Sequence, residues 1–539
     1  MKKIITLFLF VFSFSVYSQY NFKVADSVLA SYNKPGSPGV TVLVSKDGKV
    51  IYQKSGGYAN IAKDELINDK TLFNLASDTK QFTAACIVML SQKGKLKLDD
   101  KLSKYFPDFP EYAQKITIQD LLNHTAGLVD YRTAFWIGGK EVDVLSNEDI
   151  RKMLKAAPLN FEPKTDWSYS NSNYWCLVQI VEQVSGMPIG KFAEKNIFKP
   201  LKMSDTRYHR DVTLLKNGAI GYEMGDTEYT ETDKDTGVAG GSGMFSTTSD
   251  MLKWLTEMQS KKVLGNAFWD AMLNGQKHAI GKEVYYSNAL FFQALSGKKA
   301  IHHGGDLDGY HSDMSYFPDE NVDIIVFTNR GDFNVMSMQK AITSELFGFK
   351  YSWPAAEKPA EAVEAIQVPK ETLEKYVGVY DTMGMFFEVS MSDTTIKVTQ
   401  LWDGIGYEIP ATGENSFRLE DADFVFENVV NGKTQLMKIT QEGETLGFKR
   451  TNDYKPTDYT AYTGRYRCAS LNTEYDLHVN NGRLFYAING KEVATIGLIQ
   501  KDTVTIEKGE VVFQRNPEGK ITGFILNHVR VKNLEFVKI

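Results

Sequence analysis

Between residues 24 and 350 the chain has strand-like patterning at both ends and helical patterning in the middle. Val40 to Val44, the turn Lys46-Asp47-Gly48-Lys49 and Val50 to Gln53 predict a β-hairpin with an Asp-Gly turn. A helix begins at Ser77: Phe82, Cys86, Met89 and Leu90 recur at helical spacing and Gly94 is a natural stop. Helical patterns continue to about residue 200. One includes Leu121 and Leu122, and another carries Tyr174, Leu177, Val178, Val181 and Val184 on one face before Gly186. Near residue 285 short apolar runs return, as "YYSNALFFQAL", "DMSYFP" and "VDIIVFTN", followed by a helix from Val335 to Phe347. Strands at both ends around a helical block imply one α/β unit whose sheet joins the two ends of the segment.

The next stretch, residues 352–371, is rich in Ala, Glu and Pro and reads as a linker. Beyond it the sequence repeats. "YVGVY" at Tyr376 returns as "YTGRY" at Tyr462, and "FVFENVVNGK" at Phe424 returns as "VVFQRNPEGK" at Val511, about 86 residues later in each case. Both copies alternate apolar and polar residues between Asn-Gly and Glu-Gly turns. Two small antiparallel barrels or sandwiches are expected, over 372–455 and 456–539.

The chain has 539 residues, room for about three domains, and 24% charged residues, the composition of an ordinary globular protein. A net charge of -6, with no basic run or zinc-spaced cluster, gives no reason to expect nucleic acid or a metal. The start, MKKIITLFLFVFSFSVYSQ, reads as a signal peptide over 1–18: two lysines, a short apolar core, then small residues before Gln19. No later apolar run is long enough for a membrane span, so an exported, periplasmic or secreted protein without a transmembrane anchor is expected. The cysteines, Cys86, Cys176 and Cys468, have no metal spacing and read as buried thiols, with a catalytic Cys-His pair as the alternative.

Three stretches carry chemistry. In "NLASDTK", Ser77 and Lys80 share a helix face, one turn apart. A serine needs a base to become a nucleophile, and a desolvated lysine is one; alone, the quartet reads equally as a polar helix start. In "WSYSNSNY", Tyr169 and Asn171 alternate by two: a phenol that relays a proton and an amide that orients a partner, or a plain aromatic turn. In "HHGGDLDGY", Gly304 and Gly305 let a strand approach a ligand closely, and His303 offers a proton shuttle or a carboxylate contact; the plain alternative is a glycine-softened edge strand. His302 competes with His303 for the register of this motif.

In this order the motifs resemble the serine β-lactamase and penicillin-binding superfamily on its class C side, with Ser-x-x-Lys, Tyr-x-Asn and Lys/His-x-Gly. "FNLASDTKQFTA", "LLNHTAGL", "YSNSNYWCLVQIVEQVSG", "PLKMSDT" and "GGSGMFSTTSDMLKW" extend the resemblance from Val24 to Phe349. It implies an α/β (α+β) class C β-lactamase-like catalytic domain over 24–350, an antiparallel sheet flanked by a helical region, followed by the two small all-β barrel-like domains. It implies Ser77 as the acylated nucleophile, Lys80 and Tyr169 sharing acid and base work, Asn171 as an orienting amide and His303 where β-lactamases of this branch carry lysine. Gly304, Gly305 and Asp306 would lie against the substrate, with the N–H groups of Ser77 and Asp306 as the oxyanion hole. His124 reads as a brace, and "SDT" at Ser204 and "STTSD" at Ser246 as helix caps.

Histidine at the third motif, together with two β-domains, resembles the D-aminopeptidase branch, in which the third domain lends a loop to the active site. The expected function is an exported serine peptidase acting through an acyl-enzyme on small D-residue peptides, without a cofactor. An esterase or class C-like β-lactamase uses the same parts, so the partner is a small peptide, ester or lactam. A penicillin-recognising sensor or binding protein is the non-enzymatic alternative.

Overall fold

Buried on both faces, the strand Val40–Lys46 is the spine of the first domain. Its partner Lys49–Gly56 returns through Asp47 and Gly48, and its other edge pairs with Val322–Thr328. The computed structural model describes residues 20–539, except 142–144, 210, 226, 233–240, 274–284, 354–364, 383–384, 402–404, 420–421, 442–443, 452–458 and 481–482. The leader expected over 1–18 and most of the linker expected over 352–371 lie outside the described residues.

The sheet is antiparallel and seven-stranded, in the order Tyr286–Ser287, Leu290–Leu295, Lys298–Leu307, Tyr310–Phe317, Val322–Thr328, Val40–Lys46, Lys49–Gly56. Alternation along the strands splits the core in two. Val40, Val42, Val44, Ile324 and Val326 face helices Lys23–Tyr32 and Val335–Phe347. Leu43, Ile325 and Phe327 face the helical block. At the centre of that block, helix Thr79–Gln92 is buried from Thr79 to Leu90, the pattern of a helix surrounded by protein on all sides. Helix Asn171–Ser185 is likewise buried over most of its length and ends at Gly186.

Beyond the short helix Lys370–Leu373 the described residues are mostly β. An eight-stranded sheet between Gly378 and Arg450 nearly closes on itself, and strands Gly464–Cys468 to Val531–Lys538 form a closed barrel of eight. The repeated motif has the same job in each. The Tyr380 hydroxyl donates to the Tyr376 carbonyl and the Tyr466 hydroxyl to the Tyr462 carbonyl, both at 2.7 Å. Tyr376 packs on Phe426 and Tyr462 on Phe513.

The closed barrel docks on the catalytic domain. Helix Tyr131–Ile137 points its C-terminus at the barrel, where Tyr475 donates to the Ile137 carbonyl and Thr473 and Asn489 donate to that of Gly138. These bonds satisfy carbonyls that a helix end leaves without partners. Lys508 lies 3.6 Å over the Trp136 ring, a cation beside the negative end of the helix. One hydrophobic core runs from the helical block into the barrel.

One expectation fails. Ser204, Asp205 and Thr206 start no helix. They dock instead on Asp250, which accepts from the Asp205 N–H and the Thr206 hydroxyl. The cap lies where Thr247 accepts from the Asp250 N–H, at the start of helix Thr248–Ser260.

Candidate active site

Ser77 sits on a strained turn. The strand Phe73–Asn74 runs into a 3-10 turn, Ala76–Asp78, which continues into helix Thr79–Gln92. Asn74 bends the chain by accepting the Ala76 N–H on its side-chain oxygen at 2.9 Å. Ala76 takes a φ of 43°, a left-handed conformation that costs a residue with a Cβ roughly 1–2 kcal/mol. Such strain persists only where the surroundings impose it. Here Ser312 imposes it, its Oγ 2.9 Å from the Leu75 carbonyl and 2.7 Å from Asp78 Oδ2. Burial pushes the Asp78 carboxyl well above the usual range. The Ser312 hydroxyl, the donor here, sits between two acceptors, the Leu75 carbonyl and Asp78 Oδ2.

Lys80 lies one turn further on and is fully buried. Its Nζ is 2.9 Å from Ser77 Oγ, 2.9 Å from Asn171 Oδ1 and 3.1 Å from the Gly241 carbonyl. It also lies over the Tyr169 and Tyr174 rings. All three polar contacts are neutral. Burial drives the lysine pKa well below its ordinary value; Asp130 opposes this, and Arg530 and Arg132 add to it. In its uncharged form, which this shift favours, the amine has two N–H bonds and one lone pair. Asn171 Oδ1 and the Gly241 carbonyl can only accept, so the lone pair is left for the Ser77 hydroxyl proton. Gly241 is required for this approach, since a Cβ there would fall 2.3 Å from Nζ.

Asn171 opens helix Asn171–Ser185, and Asp130 fixes it by accepting from both its backbone N–H and its Nδ2. That second bond sets the amide so that its oxygen faces Lys80. Two residues earlier, the Tyr169 hydroxyl is buried and closes no hydrogen bond among the described residues. Burial raises its pKa, and the neighbouring Ser77 hydroxyl offsets part of the rise. His124 braces this loop. Its Nδ1 accepts from the Ser170 N–H and from Asn173 Nδ2, its carbonyl accepts from Ser168, and its ring packs 4.4 Å from that of Tyr169.

The third motif runs along the strand Lys298–Leu307. The strand Leu290–Leu295 pairs with it only as far as His302, so His303 to Leu307 lie beyond that ladder and next to the Ser77 turn. Gly305 must be glycine, because a Cβ there would meet the Leu75 carbonyl at 2.3 Å. His303, not His302, packs on Tyr169, with ring centroids 6.1 Å apart. Its Nδ1 lies 2.6 Å from the Gly304 carbonyl and its Nε2 3.3 Å from the Tyr286 hydroxyl. These partners assign the proton to Nδ1 and leave Nε2 to accept from Tyr286. Burial, then the charge of Lys80, lowers the His303 pKa to about 3. The histidine is neutral, with both nitrogens engaged, and a charged contact to a carboxylate is outside its reach at neutral pH. Asp306 pairs with His311 at 3.0 Å.

Three functional neighbours escaped the sequence reading: Asp130, Gly241 and Arg530. Asp130 had a signal, as an N-cap in "LVDYRT", where it accepts from the Thr133 N–H. Arg530 had none, because it comes from the closed barrel. The turn after the strand Ile521–His528 delivers it to the site, its guanidinium 5.0 Å over the Tyr169 ring. The three cysteines are buried and free. Among the described residues no group of three His, Cys, Asp or Glu side chains is arranged to hold a metal. A cleft of about 920 Å³, lined by Pro188, Phe198, Met203 and Tyr208, includes none of the residues around Ser77, and the chemistry lies outside it.

A serine hydroxyl at a helix start, beside a buried lysine whose pKa burial depresses, on a helix-covered antiparallel sheet, defines a serine–lysine hydrolase site. The chain belongs to the Beta-lactamase family, whose profile matches residues 25–345, and is a serine hydrolase. It is 30% identical over 361 residues to a penicillin-binding protein of Bacillus subtilis (strain 168), covering 63% of this chain and 78% of that one. It is 24% identical over 532 residues to the D-aminopeptidase of Brucella anthropi, covering 93% of this chain and 95% of that one. Among solved structures, an octameric penicillin-binding protein homologue from Pyrococcus abyssi shares the fold at a TM-score of 0.56 and 22% identity, over 79% of this chain and 98% of that one.

Replacing Asp130 removes a helix cap and the anchor of Asn171 together. Asp130→Ala is expected to lower stability by about 2–4 kcal/mol, read by urea unfolding, from the lost cap and the buried donors left unpaired.

Proposed function

We propose that this protein is an exported acyl-enzyme hydrolase of small peptides or amides of D-residues, a D-aminopeptidase or D-Ala-type peptidase. One observation carries the chemistry: the bond inventory at Lys80, which leaves its lone pair for Ser77 Oγ. In the first step Oγ bonds to the substrate carbonyl carbon as its proton passes to Lys80 Nζ. The N–H groups of Ser77 and Asp306 receive the oxyanion. Tyr169, held protonated by burial, gives its proton to the departing amine as the C–N bond breaks. Lys80 then returns the first proton to Tyr169. Water attacks the ester, the same pair carries its proton back to Oγ, and the acid leaves. Likeness to the D-aminopeptidase over 93% of the chain, β-domains included, supports the substrate class.

Three measurements test this reading. Purified protein is offered D-alanine p-nitroanilide, a short-chain p-nitrophenyl ester and nitrocefin. The anilide is expected to turn over fastest, and Ser77→Ala to abolish turnover of all three. Ester turnover alone would mark an esterase and nitrocefin turnover alone a β-lactamase. The pH profile gives the base. Catalysis needs uncharged Lys80, whose pKa is depressed, so kcat/KM should rise with pH through a limb well below the ordinary lysine range of about 10.4; a limb at the ordinary lysine value would refute it. Export is read by N-terminal sequencing of protein secreted by the expressing cell, expected to start at Gln19; an intact Met1 would refute it.

A further inference from the structure

We propose that Arg530 is an anion-recognising specificity residue that binds the free carboxylate of the leaving residue, so that the preferred substrate is a short peptide cut next to its C-terminus. This rests on the peptidase reading above and chooses among its substrates.

The residue is placed with some rigidity. The turn that carries it is clamped on the catalytic domain through its backbone: the Arg530 carbonyl accepts from the Asp130 N–H at 3.2 Å and from Asn160 Nδ2 at 3.0 Å, while the Lys532 N–H donates to Asn160 Oδ1 at 2.7 Å. His528 packs on Trp136 at the start of the same turn. The side chain itself is exposed. Its guanidinium lies over the Tyr169 ring and makes no hydrogen bond or ion pair among the described residues. A carboxylate is the partner that a guanidinium fork takes by two parallel bonds. The two nearby candidates are engaged elsewhere, Asp130 with Asn171 and Asp306 with His311.

The position fixes the kind of anion. In the mechanism above Tyr169 protonates the departing amine, and the Arg530 guanidinium lies over the Tyr169 ring, 5.0 Å from its centre. One peptide residue spans ~3.5 Å, so a group one residue past the cut bond on the amine side comes within reach of Arg530. In a short peptide that group is the terminal carboxylate, which the planar guanidinium fork takes by two parallel bonds. Other charges at the site agree. His303 is neutral, burial disfavours charge on Asp78, and the positive charge of Arg132 acts on Lys80 in the same sense as that of Arg530. A free ammonium on the same side would be repelled.

The test uses D-alanyl-D-alanine and its C-terminal amide, which differ by that single charge. Titrated calorimetrically into Ser77→Ala protein, the acid is expected to bind at least about tenfold tighter than the amide. Adding Arg530→Gln should bring the two within about twofold, and Arg530→Lys should retain part of the preference. Equal affinities, no binding of the acid, or a preference that survives Arg530→Gln would overturn the proposal. A general effect of the Arg530 charge on Lys80 would weaken both ligands alike and leave their ratio unchanged, which also overturns it. Turnover by Ser77-intact protein separates the two readings: carboxylate-dependent binding without hydrolysis of either peptide supports the anion site and defeats the peptidase.

Discussion

An amine whose positive charge is disfavoured by burial is the constraint on which the rest of the site depends. Lys80 is buried with oxygen acceptors only, none of them ionised. Each surrounding feature follows from keeping it so. Asn171 must present its oxygen, so Asp130 holds the other end of the amide. The backbone must come close enough to offer a carbonyl, so residue 241 is glycine. Burial of the neighbouring acid, Asp78, raises its pKa and disfavours a negative charge there. A lysine with a carboxylate partner would be cationic and unable to accept a proton from Ser77.

Much of this was legible in the chain, for a local reason. The hairpin at Asp47-Gly48, the helix after Ser77, the helix ending at Gly186 and the helix Val335–Phe347 are set by periodicity and turn chemistry within short windows. The Ser77–Lys80 pair was readable because one helical turn fixes its spacing. Gly305 was readable as a close approach, but what it approaches, the Leu75 carbonyl, was not. Tyr169 and Asn171 were placed as an extended pair, whereas Asn171 is already the first residue of a helix. The state of His303 depends on Tyr286 and Gly304, a contact across the sheet and a bend of its own backbone. No spacing encodes either. The "SDT" at Ser204 failed for the same reason: an apparent cap is used as a tertiary acceptor's partner when Asp250 lies within reach.

The two β-domains share a fold motif and differ in use. Both close their chains around a Tyr-to-Tyr hydroxyl bond, yet only the second forms a closed barrel and shares a core with the helical block. Its docking is directional. Tyr475, Thr473 and Asn489 fasten the end of helix Tyr131–Ile137, and the Arg530 turn fastens Asp130 at the start of that helix. The helix is thus held at both termini by one barrel, and it begins at the residue that aims Asn171.

Because the barrel is closed, it has no edge to lose, and its hairpin turns are the parts free to vary. The turn bearing Arg530 is one of them. The nucleophile, its base and their supporting strain belong to one folding unit, and the guanidinium over Tyr169 belongs to another. Exchange of the side chain at 530 leaves the backbone bonds that hold the turn on Asp130 in place. The hydrolytic machinery and the charge at its mouth are therefore separately heritable in this architecture.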